Sequence, residues 1–147
     1  MNFEKRSILV VDDEDINRAI LAFGLESRGF TVESVDSGAG ILQVVADRQF
    51  DAILLDVLLP EPTGTEIVRR LRRKYSMTEL PVIMLSARDE SEYVVEALTL
   101  GANDFVTRPV DIDLVLTRIQ TYVSLRRAEV ELLKSVDRVK GLERAAV

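Results

Sequence analysis

Two short apolar runs in this chain end in carboxylates, and those carboxylates are the groups with which it could do chemistry. Ser7 to Val11, SILVV, runs into the acidic cluster Asp12, Asp13, Glu14 and Asp15, and Ala52 to Leu55 delivers Asp56. Further along, the run PVIML is followed by Ser86, and DFVT by Arg108 and Pro109. If the ends of these runs meet, they gather three carboxylates, one hydroxyl and one fixed cation. Carboxylates about 5 Å apart repel by roughly 3 kcal/mol per pair at an effective dielectric of about 20. Such a cluster persists where a cation compensates it, and a hard divalent ion with oxygen ligands that keeps part of its water describes Mg²⁺. A carboxylate held against that ion, with a donor and a cation on its other side, is equipped to accept a phosphoryl group. That reaction needs mainly positioning and charge neutralisation.

Whether the ends meet depends on the elements that carry them. The runs at 7 to 11, 52 to 55 and 81 to 85 are continuous and apolar, the pattern of strands buried on both faces, and DFVT at 104 to 107 is a last short strand. FTVESVD, residues 30 to 36, carries polar residues within the run and suits an edge. Helical patterns lie between the strands. Ile16, Ala19, Ile20 and Phe23 have the spacing of one helix face before a stop at Gly29, and Ile41, Leu42, Val45 and Ala46 follow Gly38 and Gly40. A helix spans about Thr65 to Tyr75, with Thr63 and Glu66 as a capping box and Ile67, Val68 and Leu71 as its stripe. Another covers roughly Ser91 to Leu100 and stops at Gly101, and from Asp111 the pattern is helical with no breaker until Gly141. The prediction is an α/β fold, a five-stranded doubly wound parallel sheet of flavodoxin-like order 2-1-3-4-5 with an extended C-terminal helix. In that order the first and third strands are neighbours at the switch point, which places Asp12 and Asp13 beside Asp56.

Composition narrows the chemistry. The chain has 147 residues, no Cys and no His, so disulfides, thiolate sites and imidazole bases are excluded. A net charge of −6 disfavours nonspecific nucleic-acid binding, and no direct nucleic-acid contact is expected. The absence of a long apolar run and of a signal-peptide pattern at MNFEKRSILVVDDED predicts a cytoplasmic protein without membrane insertion. Ser37-Gly38-Ala39-Gly40 lacks the spacing of a phosphate-binding loop and reads as a helix start. The basic run Arg69, Arg70, Arg72, Arg73, Lys74 reads as a solvated helix face near the negative end of the helix dipole. A phosphatase with an aspartyl nucleophile would need a second Asp two residues after Asp56, where Leu58 stands.

Taken together, Val11-Asp12-Asp13-Glu14, Leu55-Asp56 with Pro60 and Gly64 after it, Leu85-Ser86-Ala87, Gly101-Ala102-Asn103-Asp104-Phe105 and Arg108-Pro109 resemble the response-regulator receiver domain of bacterial two-component signalling. The resemblance covers about residues 6 to 124, and implies a receiver domain at 1–124 and a helical extension at 125–147. It implies that Asp56 is the phosphoacceptor and a sensor histidine kinase the donor. Asp13, Asp56 and the main-chain carbonyl of Leu58 would bind Mg²⁺ directly, with Asp12 acting through water. Ser86 would turn towards the phosphoryl group and let Phe105 move inward as the switch aromatic, and Arg108-Pro109 would be a cis peptide. Such a chain is a signalling module that assists only its own phosphorylation and dephosphorylation.

Four departures and additions bear on that expectation. The family has Lys where Arg108 stands, which exchanges a compact ammonium for a longer planar fork. The alternative that follows is a degenerate receiver acting as a phosphorylation-independent dimerisation scaffold. Leu59, where Met is usual, is a conservative apolar change, and Arg88, two residues beyond Ser86, either reaches the phosphoryl group or is solvated. Finally, Leu125, Ala128, Leu132, Ser135, Val139 and Leu142 fall at alternating spacings of 3 and 4, the seam of a short coiled coil, and predict a homodimer through the C-terminal helix.

Overall fold

The computed structural model describes residues 6–145. The first five residues, read above as free of a leader pattern, and the last two lie outside the described residues. Five strands, β1 (Ser7–Val11), β2 (Thr31–Val35), β3 (Ala52–Asp56), β4 (Val82–Ser86) and β5 (Asp104–Thr107), alternate with five helices, α1 (Asp15–Glu26), α2 (Ile41–Asp47), α3 (Gly64–Arg72), α4 (Ser91–Thr99) and α5 (Ile112–Ala145). All strands pair in parallel in the order β2-β1-β3-β4-β5.

The continuous apolar runs are explained by cover on both faces. Successive strand residues point to opposite sides. Leu9, Val11, Ile53, Leu55 and Met84 face one side and pack with Ile41 and Val45 of α2, Ile67, Val68 and Leu71 of α3 and Ala97 of α4. Ile8, Val10, Leu54, Ile83, Leu85 and Val106 face the other and pack with Leu21 and Leu25 of α1 and Val115, Ile119 and Val123 of α5. No polar face is left on the central strands, so no alternation is visible in their sequence. α3 begins on the predicted capping box: Thr63 Oγ1 accepts from the Glu66 amide, and Glu66 reaches back to the Thr63 amide. The peptide bonds Arg108-Pro109 and Glu61-Pro62 are both cis.

Two expectations are corrected. The apolar stripe of α1 is not its core face: Ile16, Ile20 and Phe23 are 72%, 62% and 75% exposed, while Leu21 and Leu25 are buried. The basic run of α3 is not uniformly solvated, because Arg72 is drawn into a network of carbonyls. Its Nε donates to the Gly101 carbonyl at 2.7 Å, Nη1 to those of Leu80 and Ser76 at 2.9 and 3.2 Å, and Nη2 to Asn103 Oδ1 at 2.8 Å. The extended C-terminal helix is present as expected: α5 runs past Gly141 to Ala145. Every residue from Ser124 to Ala145 is exposed, and among the described residues no helix is long and apolar enough to cross a membrane.

The Arg72 network ties the end of α3 to the segments before β4 and β5, and burial pushes its guanidinium down to about 10. Arg72→Met leaves several carbonyls unpaired and is expected to cost about 2–4 kcal/mol in urea unfolding, whereas exposed Arg73→Met stays within about 0.5 kcal/mol. Equal midpoints for the two variants would show the network to be energetically idle.

Candidate functional site

The parallel order brings the carboxyl ends of β1, β3, β4 and β5 to one edge. Val11 pairs with Leu55, Asp56 with Leu85, and Ser86 with Thr107. Asp12 therefore follows β1 beside the end of β3, and Arg108 follows β5 beside Ser86. One carboxylate oxygen each from Asp12, Asp13 and Asp56 lies within 4.8 Å of the other two. This all-oxygen set suits a hard divalent cation, and the cluster can hold a metal.

The three carboxylates differ in their surroundings. Asp12 is wholly buried: its Oδ1 accepts from the Glu14 amide at 2.9 Å and its Oδ2 from Arg108 Nη2 at 2.5 Å. Asp56 is 5% exposed, and its Oδ1 accepts from the Leu58 amide at 3.0 Å and from Arg108 Nη1 at 3.4 Å. Among the described residues no donor reaches Asp56 Oδ2. Asp13 is exposed at the rim. Burial pushes the Asp56 carboxyl up to about 6, against the pull of Arg108 and the Leu58 amide, with Asp12 adding to the rise. Burial also works against the charge of Arg108, but Asp56 and Asp12 outweigh it and its guanidinium holds its proton more tightly than usual.

The remaining predicted residues take distinct places. Ser86 is buried at the end of β4, and its carbonyl accepts the Arg108 amide at 2.7 Å. Phe105 is 41% exposed, with its ring outside the core. Leu58 is 44% exposed and Leu59 is buried. Arg88 is exposed, and the turn it occupies is held by Glu90, which accepts the Ala87 amide at 2.8 Å. Gly64 is needed at the site, since a Cβ there would come within 2.7 Å of the Asp56 and Val57 carbonyls. Arg18 was not singled out by the sequence pattern. Its Nη1 donates to the Asp12 carbonyl at 2.7 Å and its Nη2 to Asp15 at 2.5 Å, bracing the acidic loop from α1. The only hint was a cation one turn into the helix after an acidic cluster.

Residues 8–120 match the response regulator receiver domain, and the chain belongs to that family. It is 42% identical over 117 residues to the uncharacterized transcriptional regulatory protein YkoG of Bacillus subtilis, covering 80% of this chain and 50% of YkoG. It is 35% identical to the phosphate regulon transcriptional regulatory protein PhoB of Rhizobium meliloti, covering 92% of this chain and 59% of PhoB. Among solved structures, Vibrio cholerae chemotaxis protein CheY4 is similar with a TM-score of 0.73 and 27% identity, over 81% of this chain and 99% of that one. The chain thus spans about half the length of the curated relatives it matches.

The raised carboxyl of Asp56 has a thermodynamic consequence. With a value of about 6 in the folded state against 3.8 ordinarily, the folded protein binds this proton more tightly than the unfolded chain. The stability contributed by the protonated group is complete below the unfolded value and is lost as pH rises through the folded one. In metal-free buffer Asp56→Asn is expected to raise stability by about 1–2 kcal/mol at pH 7.5, with the gain shrinking towards zero at pH 4. Urea unfolding at the two pH values measures it; a gain of equal size at both would show that ionisation is not its source.

Proposed function

We propose that this chain is a phosphorylation-controlled signalling module in which Asp56 accepts a phosphoryl group from a sensor histidine kinase. The observation that carries this reading is the meeting of Asp12, Asp13 and Asp56 with Arg108 and Ser86 at one strand edge. A carboxylate oxygen of Asp56 attacks phosphorus, the P–O bond forms as the donor's P–N bond breaks, and the electron pair returns to the donor imidazole. Attack requires ionised Asp56, which a value of about 6 supplies at neutral pH. Mg²⁺ would be held by Asp13, Asp56 and the Leu58 carbonyl, with Asp12 through water, and when bound it neutralises charge on the transferring group. The Arg108 fork and the Ser86 hydroxyl take up the phosphoryl oxygens, and Phe105 moves from its exposed position into the space Ser86 leaves. The product is a switched state rather than a released chemical, so the role is signalling and not turnover.

The projecting part of α5 is assigned to self-association. At 100° per residue, Arg126, Arg127, Val130, Glu131 and Lys134 look towards a cleft of about 980 Å³ beneath the sheet. Leu125, Leu132 and Val139 line the opposite side of the helix, 51%, 64% and 54% exposed. A polar face turned to the domain and an apolar seam turned away favour a parallel pair of such helices in a homodimer. The described helices are not of membrane-spanning character, and we place the chain in the cytoplasm, where its kinase phosphorylates it. Similarity to about half of two transcriptional regulatory proteins makes control of an output beyond this region the natural use of the switch.

Two experiments test this reading. Incubation with Mg²⁺ and a small acyl phosphate is expected to give a single phosphoryl adduct by intact mass, absent from Asp56→Asn. No adduct on the folded wild type would favour a phosphorylation-independent scaffold. Leu132→Glu is expected to abolish a concentration-dependent dimer in sedimentation while leaving the adduct intact, because Leu132 is 64% exposed and far from the core contacts; an unchanged dimer would remove the helix from the interface.

A further inference from the structure

The place of Arg108 suggests more than a substitute for Lys. Its main chain is anchored by the amide bond to the Ser86 carbonyl, and its fork splits between two carboxylates from different strands. Nη2 lies 2.5 Å from Asp12 Oδ2 and Nη1 lies 3.4 Å from Asp56 Oδ1. Asp12 is 0% exposed, so the guanidinium is the charge that makes its burial tolerable. Two of the three carboxylates that would receive a metal are thus already engaged by a cation belonging to the chain itself. An arginine has the reach and the paired donors to bridge them, whereas the single ammonium of a lysine sits on a shorter stem.

We propose that Arg108 is a tethered counter-ion that holds Asp12 and Asp56 in a metal-free resting state, so that Mg²⁺ binds only as the guanidinium gives up Asp12. The competition is electrostatic: a divalent ion entering beside Asp12 and Asp56 meets the positive charge of an arginine already paired with an oxygen of each. Because the two cations exclude each other at Asp12, whatever draws the fork away tightens the metal. A phosphoryl group on Asp56 offers the fork new anionic oxygens, and therefore metal and phosphoryl group support each other by linkage. The inference rests on the metal reading given above and names the residue that regulates it.

The test is Mg²⁺ titration by calorimetry on the wild type, Arg108→Lys and Arg108→Met, with thermal unfolding of each in chelator and in saturating Mg²⁺. Both variants are expected to bind Mg²⁺ roughly tenfold more tightly than the wild type, about 1.4 kcal/mol. They are also expected to melt lower in chelator and to gain more from Mg²⁺. Thermal unfolding also reports whether each variant is folded, and the retained charge of Arg108→Lys guards against a collapse of Arg108→Met. If Arg108 merely positions the ligands, both variants bind more weakly, and that result overturns the proposal, as does equal affinity in all three. Absence of Mg²⁺ binding in all three proteins would overturn the metal reading itself and the competition with it, while leaving the adduct on Asp56 as a separate observation.

Discussion

Two carboxylates, Asp12 and Asp56, lie buried at one edge of a parallel sheet with a single arginine between them, and the architecture around them follows from making that arrangement tolerable. Burial disfavours the charge of Asp56, and Asp12 beside it adds to that. A cation delivered from a third strand end settles both, which requires β5 to finish on the same edge as β1 and β3. A parallel sheet does this because all its strands end at one side, and the order β2-β1-β3-β4-β5 puts the two acidic strands in direct contact. The backbone is fitted closely as well: Gly64 passes so near the Asp56 and Val57 carbonyls that no side chain has room.

The cost of holding these groups is met by ordinary apolar packing. β1, β3 and β4 are covered on both faces by two separate sets of buried aliphatic side chains, so the strands that carry charge at their ends are the best anchored in the molecule. On the opposite flank the Arg72 network stitches α3 to the Gly101 turn and to Asn103, whose Oδ1 also accepts the Val82 amide. Those bonds fix the entrances of β4 and β5.

The strands and their chemistry were legible in the sequence because a strand buried on both faces is a continuous apolar run, and a charge placed after it has few other meanings. Asp12, Asp13, Asp56, Ser86 and Arg108 all fall directly after or at the end of such runs, and the structure brings them to one edge. The helices were less legible. Apolar residues at helical spacing mark a face that avoids water, but the pattern does not say whether the domain or another molecule covers it; in α1 the Ile16, Ile20 and Phe23 face points outward and Leu21 and Leu25 make the core. Arg72 was hidden for a related reason. One arginine in a run of basic residues is distinguished only by the carbonyls that converge on it, and these come from segments 3 to 31 residues away. The double engagement of Arg108 was likewise invisible, since spacing predicts that a cation arrives and not how its two nitrogens are shared.

The short strand β5 joins this edge to the long helix. At one end it continues into Arg108; at the other, Asp104 Oδ2 accepts from Tyr122 Oη at 3.2 Å and pairs with Arg118 at 3.4 Å, and the Asn103 carbonyl accepts from the same hydroxyl at 2.9 Å. Burial and Asp104 both push the Tyr122 phenol upward, so it stays a donor. A second tie, Arg126 to the Glu79 carbonyl at 2.6 Å, holds the first turn beyond the core. The strand that carries Arg108 is therefore joined to α5 through polar contacts at the helix's last buried turn, not through a slack loop. From Val123 to Ala145 an ideal helix extends about 33 Å, and a tilt of only about 5° at its root displaces its end by about 3 Å. A movement too small to disturb the core therefore suffices to relocate the exposed end of the helix.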